Sequence, residues 1–144
     1  MTVTPTPATA GQRSRLRRMV RPALVVAGVT AVTVALHVRD PHEPGSWGIC
    51  PTAALGFWCP GCGSLRAVND LTNLRFLDAA SSNLVFVAAI PVLAYWFGRW
   101  TYGRWSGRPW NPSARTQNRT VAVTLVVMGV FAALRNLPGS WLAP

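Results

Sequence analysis

The sequence has no lysine, and only four acidic residues stand against fourteen arginines, giving a formal net charge of +10. The missing lysine reads as a bias of genomic base composition and carries no functional inference. Charged residues make up 12% of the 144 residues, against about 25% in soluble domains, while half of the chain is apolar. That deficit favours a membrane class over a soluble one. Catalytic signatures are also missing: there is no Ser/His/Asp set, no phosphate-binding glycine loop and no HExxH. No acid falls within an apolar run, which argues against the proton relay of a transporter or channel. The basic excess could suggest nucleic acid, but the arginines flank apolar runs too long and too uncharged for a soluble helix face. Attraction of cytoplasmic anchors to anionic lipid accounts for them, so no nucleic-acid partner is expected.

What charge there is has a pattern. Arg13, Arg15, Arg17, Arg18 and Arg21 precede the first apolar run, and Arg99, Arg104, Arg108, Arg115 and Arg119 lie between two later ones. Asp40, Glu43, Asp70 and Asp78 all fall in the segment between these blocks, together with the three cysteines. Arginine stays cytoplasmic, so the cysteine segment is expected to face outward.

The runs set the spans. Residues 22–38 are uncharged between Arg21 and Arg39, the short end of what crosses a bilayer. Pro22 suits a first helical position. No small-residue cleavage site follows, so this run reads as a retained signal anchor. Residues 44–65 are also uncharged, but three prolines and five glycines would leave backbone groups unsatisfied in lipid, so this stretch reads as a loop on the outer interface. Residues 64–71 read as a short helix, with Ser64 as N-cap and Leu65, Val68 and Leu71 on one face. Residues 79–98 give the clearest span, with Pro91 expected to kink it. The run from 120 to 134 is short, and snorkelling of Arg135 extends it to 137.

The expected architecture is an all-α integral membrane protein with about three transmembrane helices. In order, these are a disordered basic cytoplasmic tail (1–19), a transmembrane helix (20–38), and an extracytoplasmic cysteine loop (39–78) with a short interfacial helix (64–72). A second transmembrane helix (79–98), a basic cytoplasmic loop (99–119), a third helix (120–137) and an outer tail (138–144) complete it. The lipid bilayer is the first partner; another membrane protein or a second copy of the chain is the next.

The loop carries the chemistry. It reads Cys50-Pro51 and then Cys59-Pro60-Gly61-Cys62-Gly63. Three readings are open. In a metal site, the two thiolates of a C-P-x-C-G turn, with Gly63 free to take positive φ, bind zinc together with Cys50 and with His42 or His37. In a thiol–disulfide centre, Trp58-Cys59-Pro60-Gly61-Cys62 resembles a thioredoxin-type site with Pro and Gly exchanged. A helix beginning near Ser64 then favours the thiolate, and Arg66 adds to it. No βαβ pattern surrounds the motif, so the thioredoxin fold itself is not expected. In the structural reading, a disulfide staples an irregular loop and the third cysteine is buried or pairs elsewhere. Arg66 is expected either to pair with Asp70 on an exposed helix face or to sit near the sulfurs or a lipid phosphate. Asn83 reads as a helix cap at the mouth of the second span, with a substrate or partner contact as the alternative. His42, among prolines, reads as exposed rather than as a ligand.

With these residues the chain resembles the bacterial membrane-protein family called domain of unknown function 2752. The resemblance runs through Cys50-Pro51, Gly56-Phe57-Trp58, Cys59-Pro60-Gly61-Cys62-Gly63, Arg66-Ala67, Leu71, Ala79-Ala80 and Asn83. Leu65 stands where the family has Thr, and Leu84 where it has Pro after the Asn. The resemblance implies a membrane location, in the bacterial plasma membrane with the N-terminus cytoplasmic, and makes the cysteine loop the defining feature. It implies no activity. The sequence therefore points to a structural or accessory partner-binding subunit whose loop is fixed by a disulfide or a metal. The alternative is a membrane thiol–disulfide oxidoreductase using Cys59 and Cys62.

Overall fold

A computed structural model describes residues 7–43, 45–47 and 51–142, the side chains of 7–14 excepted. Among the described residues all regular structure is helical: α1 (Pro7–Val38), α2 (Pro51–Ala54), α3 (Ser64–Thr72), α4 (Phe76–Ser106) and α5 (Ala114–Arg135). Three helices are long and apolar enough to cross a membrane: Arg15–Val38 within α1, then α4 and α5. Only 11%, 17% and 6% of the residues in their apolar stretches are buried within the chain. Apolar side chains left so exposed on three helices need an apolar surrounding, which the bilayer supplies. The chain is a multi-span membrane protein.

The helices are longer than the apolar runs, and the reason is local. α1 starts at Pro7, not near 20, so the stretch expected to be disordered is helical from that residue; 1–6 lie outside the described residues. Gln12, Leu16, Met19 and the intervening arginines are good helix formers, and hydropathy does not register them. Pro22 is consequently inside the helix rather than at its start. α4 runs to Ser106 and stops at Gly107, whose φ of 74° is the left-handed C-terminal conformation glycine adopts freely. α5 starts at Ala114 because the Ser113 hydroxyl accepts the Thr116 N–H at 3.2 Å, an N-cap.

α1, α3 and α4 pack on one another. Ala67 of α3 and Ala79 of α4 are fully buried, and their small side chains let the two backbones approach closely. The junction, at which Leu36 of α1 is also buried, has a polar part as well. Asn69 donates through Nδ2 to the Leu36 carbonyl at the end of α1, at 2.8 Å. The buried carboxylate of Asp70 receives the Ser82 hydroxyl at 3.1 Å and the charge of Arg75 at 2.7 Å. In hydrocarbon such contacts replace the hydration these groups lose.

The opposite ends of α1 and α4 also meet. Arg104 Nε donates to the Arg18 carbonyl at 2.9 Å, and the Arg15 guanidinium lies 6.0 Å from the Trp105 ring centre. The two arginine blocks therefore share one end of the bundle. The cysteine turn lies at the other, beyond Leu36 and before Asn83.

Candidate thiol centre

The Cys59–Cys62 turn is closed by its own backbone. The Cys62 N–H donates to the Cys59 carbonyl at 3.1 Å and the Ser64 N–H to the Gly61 carbonyl at 3.2 Å. Gly63 has φ 79°, a conformation costly for a residue with a Cβ, and it forms the N-cap of α3. Ser64, expected to be that cap, is instead the first helical residue, and the cap makes no side-chain hydrogen bond. The glycine carbonyl already accepts the Ala67 N–H at 2.9 Å, starting the helix without a hydroxyl.

This turn brings the Cys59 and Cys62 sulfurs to 3.2 Å, within hydrogen-bonding distance for thiols and beyond the ~2.05 Å of a disulfide. Cys59 is half-buried and Cys62 buried. The Cys59 thiol is held below its ordinary range, first by the hydrogen bond from Cys62. The Thr52 hydroxyl and the N–H groups of Gly61 and Cys62 act in the same direction, against the opposing effect of burial. The more exposed cysteine is thus held below its ordinary thiol range, and the less exposed one stands beside it.

Two side chains from distant helices hold the turn from behind. Asn83 Nδ2 points at the Pro60 carbonyl (2.8 Å), the Cys62 carbonyl (3.1 Å) and the Ser64 hydroxyl (3.1 Å). Its Oδ1 accepts the Phe86 N–H at 2.9 Å. That is N-cap geometry, and it sits at a break inside α4, where Asn83 is extended (φ −161°, ψ 92°). The non-helical residue of α4 is therefore Asn83, eight positions before Pro91, where the kink was expected. Arg135, at the end of α5, donates from Nη1 to the carbonyls of Cys59 (3.1 Å) and Cys62 (3.0 Å). Asn136 makes a reciprocal pair with Trp58, whose N–H donates to Oδ1 and whose carbonyl accepts from Nδ2, both at 2.9 Å. Arg135 is 1% exposed, so it does not snorkel outward as the sequence suggested; the carbonyls of the turn are its destination.

The other residues singled out by sequence lie elsewhere or close by. Cys50 is outside the described residues. His42 stands between two carboxylates, with Nδ1 2.7 Å from Asp40 and Nε2 3.5 Å from Asp70. Asp40, whose carboxylate also accepts the His42 backbone N–H, is held below its usual carboxylate range by that bond first. His37 bonds the Thr72 hydroxyl at 3.0 Å. Among the described residues no three His, Cys, Asp or Glu side chains converge as a metal would need; Cys59 and Cys62 are the donors brought together. Arg66 reaches the Pro41 carbonyl at 3.5 Å, while Asp70 turns inward to Arg75 and Ser82. Arg135, Asn136 and Thr52 were not singled out as site residues by sequence. The signal for the first was a lone charge interrupting an apolar run.

Residues 50–97 match the family described as Protein of unknown function (DUF2752). The matched third of the chain runs from Cys50 through α3 to Phe97 in α4, so it contains the turn and Asn83 but not Arg135 or Asn136. No curated protein and no solved structure matches the chain.

Proposed function

We propose that this protein is a membrane thiol–disulfide exchange protein, with Cys59 as attacking thiolate and Cys62 as resolving thiol, facing the outer side of a bacterial plasma membrane. The observation that carries the reading is the 3.2 Å sulfur pair, with one sulfur half-buried and the other buried; Cys59, the more exposed, is also held below its ordinary thiol range. The thiolate, not the thiol, is the nucleophile. The orientation rests on the two arginine blocks meeting at the end of the bundle away from the cysteines.

The step balances with a protein disulfide as oxidant. The Cys59 thiolate attacks one sulfur of the disulfide, a mixed disulfide forms, and the other sulfur leaves as thiolate and takes up a proton. Cys62 then gives up its proton and attacks Cys59. The second partner sulfur is expelled, the partner is reduced by two electrons, and Cys59–Cys62 becomes a disulfide.

The test is equilibration of detergent-purified protein with glutathione buffers, followed by acid quenching, thiol counting and metal analysis on the same sample. The expected result is a Cys59–Cys62 disulfide that forms and reduces reversibly, at a potential above about −300 mV. A disulfide reducible only after unfolding would make it a structural staple. About one zinc per chain, with thiols titrating only after chelation, would make it a metal site. Either outcome overturns the exchange reading in favour of an accessory subunit.

A further inference from the structure

Arg135 is the least expected buried group in the molecule. It is 1% exposed, and among the described residues its Nε and Nη2 have no hydrogen-bond partner. Among the described residues none of the acidic side chains, Asp40, Glu43, Asp70 and Asp78, makes an ion pair with it; Asp40 and Asp70 are engaged by His42 and Arg75. Guanidinium stays protonated in any accessible pH range. A buried charge without a counter-ion is costly, and it usually has an anionic partner in the state that matters. The partial negative end of α5 and the Phe131 ring, whose centre is 4.9 Å away, compensate part of the charge. Neither changes with the redox state. Among the described residues, the groups beside Arg135 that can become anionic belong to the turn it grips.

We propose that Arg135 is a positioning residue of the thiol centre: it fixes the Cys59–Cys62 turn by both carbonyls, and its uncompensated charge favours the reduced, anionic pair over the disulfide. This rests on the exchange reading above. A disulfide carries no charge, so oxidation leaves the guanidinium without its counter-ion. The two donated hydrogen bonds end on backbone oxygens, which carry no redox-dependent charge. Charge, rather than shape, therefore links Arg135 to redox poise.

The experiment compares the glutathione equilibrium of the wild type, Arg135→Gln and Arg135→Lys in detergent. Gln keeps donors for the carbonyls without the charge, and its dithiol–disulfide equilibrium is expected to move at least tenfold toward the disulfide, about 30 mV. Lys is expected to return it to within threefold of wild type. An unchanged equilibrium in Gln, or a shift in Lys as large as that in Gln, overturns the proposal, since a purely structural cation would not move the potential. A second readout is alkylation at neutral pH: Cys59 in Arg135→Gln is expected to react at least threefold more slowly than in wild type, and an equal rate overturns the proposal. If the wild-type pair does not equilibrate with glutathione at all, the exchange reading fails. Alkylation of Cys59 in wild type and Arg135→Gln then still reads the charge of Arg135: a slower rate in Gln upholds its effect and an equal rate removes it.

Discussion

Asn83 and Arg135 hold the same atom. The Cys62 carbonyl oxygen accepts from Asn83 Nδ2 at 3.1 Å and from Arg135 Nη1 at 3.0 Å, one donor from the break near the start of α4 and the other from the last residue of α5. A carbonyl has two lone pairs, and both are used here. The turn that presents the sulfurs is thereby tied to two transmembrane helices at one point.

Replacement of Asn83 by Asp should therefore be severe despite near-identical shape. A carboxylate can still accept the Phe86 N–H, but it donates nothing to the Pro60 and Cys62 carbonyls and places charge against them. Stability is expected to fall by about 3 kcal/mol, read as a lower melting temperature in detergent. A melting temperature within a degree or two of wild type would show that the amide does not hold the turn.

Asp70 and Arg66 form a contrasting pair, four residues apart on α3. Asp70 is fully buried against Ser82 and Arg75, whereas Arg66 makes one long bond to the Pro41 carbonyl. Asp70→Leu leaves the buried Ser82 hydroxyl without its acceptor, while the half-exposed Arg75 stays hydrated, and should cost about 1–3 kcal/mol. Arg66→Ala should stay within about 0.5 kcal/mol. Denaturant or thermal unfolding of the two variants side by side checks this, and equal losses would sink it.

Glycines in the long helices differ in what they meet. A Cβ on Gly103 would lie 2.8 Å from the Arg108 carbonyl oxygen and 3.0 Å from the Trp110 nitrogen, both backbone atoms that cannot swing aside. Gly98 and Gly129 have open space where a Cβ would go. Gly103→Ala is expected to destabilise by about 1–3 kcal/mol, while Ala at 98 or 129 is neutral or slightly favourable through helix propensity. Yield and melting temperature of the three variants would separate them.

The three long helices were legible because uncharged apolar runs of 15 to 20 residues leave few alternatives in a chain this poor in charge. Their ends were not, because arginine-rich turns such as those of α1 before residue 20 are helical by propensity and invisible to hydropathy. The thiol pair was legible as a motif. Its support from α4, Asn83, was legible as a helix cap, but its support from α5 was not: a sequence shows that Arg135 is charged, which suggests water, and hides the two carbonyls that receive it from more than seventy residues upstream. Asp70 misleads in the same way, since its spacing from Arg66 proposes a partner that folding replaces with Arg75.

Arg135 lies 76 residues after Cys59 and 73 after Cys62, and that order has a consequence for biosynthesis. At the usual pace of translation the cysteines precede their clamp by roughly 4–15 seconds. During that interval the turn can be held by Asn83 but not yet by α5. When the turn folds as it is made, its thiols are exposed to their surroundings before Arg135 is there to bond its carbonyls.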